Sequence, residues 1–459
     1  MASSPRRAFL RVVCCLLSSS AASAPALSDT PAAVATRPDP FVTLQALNAG
    51  RIASTWSSLP SGEGCADGRR GMVAHALLLS ESSRFVQDVQ PGLFNLVDTR
   101  HRVQLDGSAR VGCVHAQLAL QRQATAAGDF WSWDGSALSW RIDPHWRVGA
   151  GRIARHWGPA WDGSLILDTA ARPFPSVALD ATSGAIAGDS FWWWLGEVDF
   201  SAFFGQLEAD RADYPQPYLM GMRLVVRPWR WLELGVSRTA TWGGKNRDTS
   251  LNSFLTALIG RDNQTSGNGI DDQPGNQLGG FDLRADLSAW LPGMGLYGQM
   301  IGEDEAANLP SKYMHLAGAD WRHAQGMLFV EWTDSTAKLP GVAYNHHIYT
   351  DGYRYHGRPL GYWGDGDANV WSAGGLWRDL LGGQALAVLR HGTLNRFGAS
   401  PTWPEAHFTG ASLQWRTVLD RRFGLSLVLD HAALSPLGTA GGVPQRETQL
   451  RVQFDAWFD

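Results

Sequence analysis

The sequence predicts an all-β fold: a transmembrane antiparallel β-barrel of about 18 strands with a short N-terminal periplasmic helical segment. Three observations predict it. Beyond the N-terminal leader, none of the 459 residues falls in an apolar run long enough, about 18 residues, to span a bilayer as a helix. Many stretches of roughly ten residues alternate polar and apolar side chains. The connections between them alternate between short and long.

Composition agrees. Charged residues make up 18% of the chain, below the roughly 25% of an ordinary soluble domain. Gly (51) and Trp (22) are abundant, and Lys occurs only as Lys245, Lys312 and Lys338. That balance argues against disorder. With no basic patch, it also argues against nucleic acid as a partner.

The elements follow in order. Residues 1–26 read as a secretory signal peptide: Arg6, Arg7 and Arg11 precede a short apolar core at 12–17, and Ala24-Pro25-Ala26 offers a cleavage site. Cys14 and Cys15 lack a lipobox. The remaining two cysteines, Cys65 and Cys113, would meet an oxidising compartment, so a disulfide is expected, with two buried thiols as the alternative. Residues 27–70 form a periplasmic helical segment, with a helix capped by Asp39, started by Pro40 and stopped by Gly50. Phe41, Leu44 and Leu47 share one face of it.

Residues 71–459 form the barrel. In FDLRADLSAW (281–290), Phe281, Leu283, Ala285, Leu287 and Ala289 alternate with Asp282, Arg284, Asp286 and Ser288. The C-terminal stretch does the same, with Leu450, Val452, Phe454, Ala456 and Phe458 on one face. Weaker strands are expected near 72–82 and 99–106. Short turns fall at 141–145, 227–231, 291–295, 322–326, 378–383 and 418–423. Long connections fall at 154–189, 207–217, 243–279, 301–313, 333–369 and 394–407. A soluble sandwich has no reason to collect its long loops at one end; a membrane barrel does, with short turns periplasmic and long loops outside. The expected location is the outer membrane of a Gram-negative bacterium, with both termini periplasmic. Arg238 fits badly, because Leu232, Leu234 and Val236 place it on the lipid face.

Residues 344–371 concentrate Tyr, His, Trp, Asp and Gly in the longest external loop. His346, His347 and His356 lack a zinc spacing, and SGNGIDD (266–272) is a turn-rich loop, so no metal and no cofactor are expected. No G-x-S-x-G or H-E-x-x-H motif is present. The carboxylates of GEDEA (302–306) and GDGD (364–367) read as surface acidity, and the protein is not expected to be an enzyme. Flat aromatics with polar tips beside Asp, Arg and His suit a polysaccharide. The competing assignment is to the aromatic girdles of any barrel, which claims FWWW (191–194). The expected polymer-facing residues are Trp157, Trp161, Trp242, Arg247, Tyr344, His346, Tyr349, Asp351, Tyr353, Tyr355, Trp363 and Asp365.

Six stretches then stand out in order across residues 140–365: HWGPAWDGSLILDTAARPF (156–174), LELGVSRTATWGG (232–244), DQPGNQLGGFDL (272–283), LYGQMIGEDE (296–305), LPSKYM (309–314) and HHIYTDGYRYHGRPLG (346–361). Together they resemble the Wzi family of outer-membrane capsule-assembly proteins. The resemblance implies an 18-stranded, monomeric, non-enzymatic barrel with a blocked lumen. Its lectin-like outer face would hold capsular polysaccharide or a related exopolysaccharide, and outer-membrane lipid would surround it. The family's N-terminal helical bundle is shortened here, and the chain ends WFD. The rival reading is a porin-like channel lined by Asp282, Arg284 and Asp286; an outer-membrane hydrolase is a weaker third.

Overall fold

Alternating side chains make two-faced strands, and two-faced strands in lipid pair until no edge remains. The computed structural model describes residues 55–57, 65, 70–79, 99–125, 128–185, 192–259, 275–303, 305–306, 309–310, 312–420, 422–437 and 444–458. The signal peptide and the 39–50 helix lie outside the described residues. Strands β1 (Arg70–Leu79), β2 (Thr99–Val111) and β3 (Val114–Thr125) lead into β4, which is interrupted into Gly128–Ser132 and Ala137–Arg141. Next come β5 (Trp146–Arg152), β6 (Pro175–Ala185), β7 (Glu197–Gln206), β8 (Tyr218–Trp229) and β9 (Leu232–Trp242). A helix, α1 (Leu251–Ile259), precedes β10 (Gly275–Asp286), β11 (Met294–Glu303), β12 (Tyr313–His323) and β13 (Gly326–Asp334). The wall ends with β14 (Asn369–Leu380), β15 (Gly383–Leu394), β16 (Ala406–Val418), β17 (Phe423–Pro436) and β18 (Gln445–Phe458). Each pairs antiparallel with the next, and β18 pairs with β1, setting Met72 opposite Phe458 and closing the ring. The weak strands predicted near 72–82 and 99–106 are β1 and β2.

One predicted connection is corrected. Residues 154–189 are not a single loop, because β6 runs through them. The long loop stops at Phe174, and the connection from β6 to β7 returns at the short-turn end. Without β6 two long loops would have flanked a single strand. Its sequence, PSVALDATSGA, is rich in small residues, so its period-two signal is faint.

The outward rows are apolar and exposed: Leu234, Val236, Phe281, Leu283, Leu450 and Phe454 all belong to them. At the short-turn end Trp140, Trp146, Trp192, Trp194, Trp229, Trp231, Trp290 and Trp321 are exposed, and Trp229 stacks on Trp231 at 5.6 Å. This is an aromatic girdle, and it includes two Trp of the FWWW stretch. One of the two-residue turns joins β14 to β15 through Leu381 (φ 53°) and Gly382 (φ 71°), both left-handed as such a hairpin favours. Cys65 and Cys113 are joined by a disulfide, which ties the segment before β1 to the β2–β3 turn.

Arg238 faces outward, as its register demands, yet is half-buried. Helix α1 folds back along the wall and covers it: Arg238 donates to the Ala257 carbonyl and to Gln277. Ser250 starts the helix by accepting the Ser253 N–H. Phe254 packs on Trp242 at 5.3 Å, and Trp242 Nε1 donates to Ser253 Oγ.

The core lies inside the barrel. Loop 153–174 descends from the long-loop end into the lumen, and loop 335–368 packs on it. Residues 55–57, within the predicted helical segment 27–70, form a short β-ladder with Arg155–Trp157. Buried side chains of both loops merge with inward wall residues such as Phe203, Leu219, Tyr297, Met314 and Phe408 into one cluster.

Candidate ligand surface

Inward positions of the wall are polar, and loop 153–174 uses them. Glu331 of β13 accepts the backbone N–H groups of Trp161 (2.5 Å) and Asp162 (3.0 Å), and the Tyr297 hydroxyl (2.8 Å). Asp162 in turn takes Arg390 of β15 (2.6 Å) and the Ser372 hydroxyl of β14. Gln299 accepts the Leu165 N–H and donates to the Trp157 carbonyl. The charged row proposed as a pore lining is spent on neighbours: Asp282 pairs with Arg223, Arg284 with Asp320, and Asp286 with Arg322.

The second loop is fastened to the first by tyrosines. Tyr344 donates its hydroxyl to the Leu165 carbonyl (2.6 Å), and Tyr353 donates to Ile166 (2.9 Å). Burial pushes both phenols well up from their ordinary value, so they remain donors. Arg354 grips Asp365 through two hydrogen bonds of 2.9 and 3.0 Å. Of the acidic clusters, Asp367 accepts the Gly341 N–H and Glu303 accepts the Tyr344 N–H. Among the described residues no three His, Cys, Asp or Glu gather as a metal-binding group.

The expected polymer-facing set is therefore corrected for most of its members. Trp157, Tyr344, Tyr349, Tyr353, Tyr355, Trp363 and Asp365 are buried between the two loops or beneath them. Trp242 is buried on the outer wall under α1. Trp161 is half-buried but points into the lumen, its Nε1 donating to Asp320 (3.0 Å). For the aromatic residues inside the barrel the physical reason is shared: a lumen this wide needs large side chains to fill it, and Tyr and Trp fill space while their polar tips satisfy loop carbonyls.

Arg247, His346 and Asp351 do reach the surface, half-buried, in a patch made by three loops. Loop 207–217 is locked to loop 344–358 by Arg211, which binds Asp213 (2.8 Å) and the carbonyls of Gly352 and Arg354. Asp351 accepts the Ala212 N–H (2.7 Å). The guanidinium of Arg247 sits 4.9 Å from the Tyr214 ring and 5.2 Å from that of Tyr349. Tyr349 is pinned beneath by its hydroxyl, which donates to the Gly243 carbonyl. His347, 4.4 Å from the His346 ring, and Thr350 are exposed on the same loop, and His356 is exposed beside loop 207–217. His356 faces Asp210 at 3.7 Å, and burial, followed by the charge of Arg172, pulls its imidazole below the ordinary value. From the sequence His347 and His356 were weighed only as metal ligands, and Tyr214 and Asp210 were missed. The signal lay in the charge-dense loop LEADRADYPQP (207–217), whose partner loop lies over a hundred residues away.

Residues 142–447, about two thirds of the chain, match the capsule assembly protein Wzi family. The chain belongs to that family. A Klebsiella pneumoniae relative, an uncharacterized 55.8 kDa protein in the cps region, is 37% identical over 185 residues. The matched stretch is 40% of this chain and 35% of that protein. Among solved structures this Wzi-family barrel is similar to Escherichia coli Wzi, an outer membrane protein involved in group 1 capsule assembly and a carbohydrate-binding β-barrel. The TM-score is 0.70 at 23% identity, over 84% of this chain and 83% of the other.

Proposed function

We propose that this outer-membrane barrel holds capsular or related exopolysaccharide at the cell surface and supports capsule assembly without catalysing a reaction. The long loops face the exterior, both termini face the periplasm, and the protein works as a monomer surrounded by lipid. The observation that carries the reading is the surface patch itself: Arg247 over the Tyr214 ring, backed from below by the buried Tyr349 and flanked by His346, His347 and Asp351. Such a patch meets both the apolar C–H faces and the hydroxyls of a sugar. Family membership and the carbohydrate binding ascribed to the Escherichia coli relative support it. The carboxylates of the predicted acidic clusters for which bonds are described are engaged by Arg354, Gly341 or Tyr344, which favours a structural duty for them. The channel reading is disfavoured by loop 153–174, anchored across the lumen to β11, β13 and β15.

A single contact patch need not bind tightly, because a repeating polymer engages many barrels and gains avidity. Binding of the purified barrel to polymer from its own strain tests the proposal. Saturable binding is expected; its absence at millimolar repeat concentration refutes it.

A further inference from the structure

Helix α1 carries no charged residue between Leu251 and Ile259. One side packs on the wall; the other leaves Leu251 (72%) and Leu255 (42%) exposed. Beside it the outward wall is not flat. A furrow of about 610 Å³ runs from α1 across β9, β8, β7, β6 and β5 to β4. Its floor is made of small outward residues, Ala150, Ala202 and Ala240, and its banks are Phe204, Phe254 and Trp140.

This furrow is continuous with the apolar band that faces lipid: Val177, in its lining, and Leu224 and Val236, on neighbouring outward rows, are exposed apolar side chains. Hydrocarbon is the medium that meets such a band. Lipid tails are as apolar as the wall, so close packing, rather than escape from water, selects what stays bound. Small residues let a chain approach the backbone, and many weak dispersion contacts then add up. We propose that the furrow holds an acyl chain of a membrane lipid, clasped between α1 and the wall. The chain lies lengthwise over the small-residue floor, with Phe254 on one flank and Trp140 at the far end.

Native mass spectrometry tests this. The full-length mature barrel is reconstituted in vesicles of palmitoyl-oleoyl phosphatidylglycerol, extracted in mild detergent and washed. The wild type should keep one lipid per barrel. Ala202→Trp overpacks the floor and should lower retention about tenfold or more. Val236→Trp, outward but outside the furrow, should retain lipid like the wild type. No lipid on the wild type, equal retention by Ala202→Trp, or equal loss in Val236→Trp overturns the proposal. Should Ala202→Trp lose its heat-modifiable band, Ala150→Leu fills the same floor from β5 and is read in the same way.

Discussion

Asp162 and Arg390 stand 228 positions apart in sequence and meet inside the barrel, with Arg390 Nη2 2.6 Å from Asp162 Oδ1. The pair pins the tip of the lumenal loop to the opposite wall. Removing one member leaves the other charge buried, which typically costs about 3–5 kcal/mol. Arg390→Met should therefore lower the melting midpoint of the purified barrel and produce current bursts in a planar bilayer where the wild type is silent. An unchanged trace and midpoint would show that Glu331 alone holds the tip.

The loop tyrosines give a second prediction. Were they surface groups, they would be dispensable to folding. Tyr353 is 1% exposed and Tyr344 0%. Tyr353→Phe should cost about 1 kcal/mol, the net worth of one hydrogen bond. Tyr353→Ala should cost about 3–5 kcal/mol through the cavity it leaves. Urea or guanidinium midpoints of the two variants check the order.

Stability should also depend on pH through Glu208. Burial raises its carboxyl above the ordinary 4.5, against the opposing pull of Arg211 and the N–H of His356. The folded state thus keeps the proton to higher pH than the unfolded chain does. The stability this group contributes is full below pH 4.5 and is lost as pH rises through the folded value. Glu208→Gln should flatten the melting midpoint against pH over that window and raise it at neutral pH. A parallel curve for both proteins would contradict the assignment.

Orientation is open to labelling. Thr350 is exposed in the long-loop patch and Leu381, 87% exposed, tips the β14–β15 turn. On intact cells a membrane-impermeant maleimide should modify Thr350→Cys and spare Leu381→Cys. The reverse pattern would invert the barrel.

Much of the wall was legible because a strand's two faces are written locally. Phe281 to Asp286 and Leu450 to Asp455 point as their alternation says. β6 was hidden because Ser176, Ala178 and Ala181 blur the contrast on which period two depends. Arg238 could not be explained locally, since its cover, α1, is folded back from the following loop. The ligand surface was least legible. An aromatic loop reads the same whether it greets a sugar or plugs a lumen, and only the partner decides. For Tyr344 and Tyr353 the partners are carbonyls at 165 and 166, nearly two hundred residues away.

The most direct test is polysaccharide binding by the purified barrel, comparing the wild type with Tyr214→Ala/Arg247→Ala. Both residues sit at the surface, so the wall and the lumenal packing should be untouched. Loss of the cation–aromatic centre should weaken binding about tenfold or more, in keeping with the ~1–2 kcal/mol of a well-placed contact. Equal affinity in the two proteins, with heat-modifiability preserved, would contradict the account.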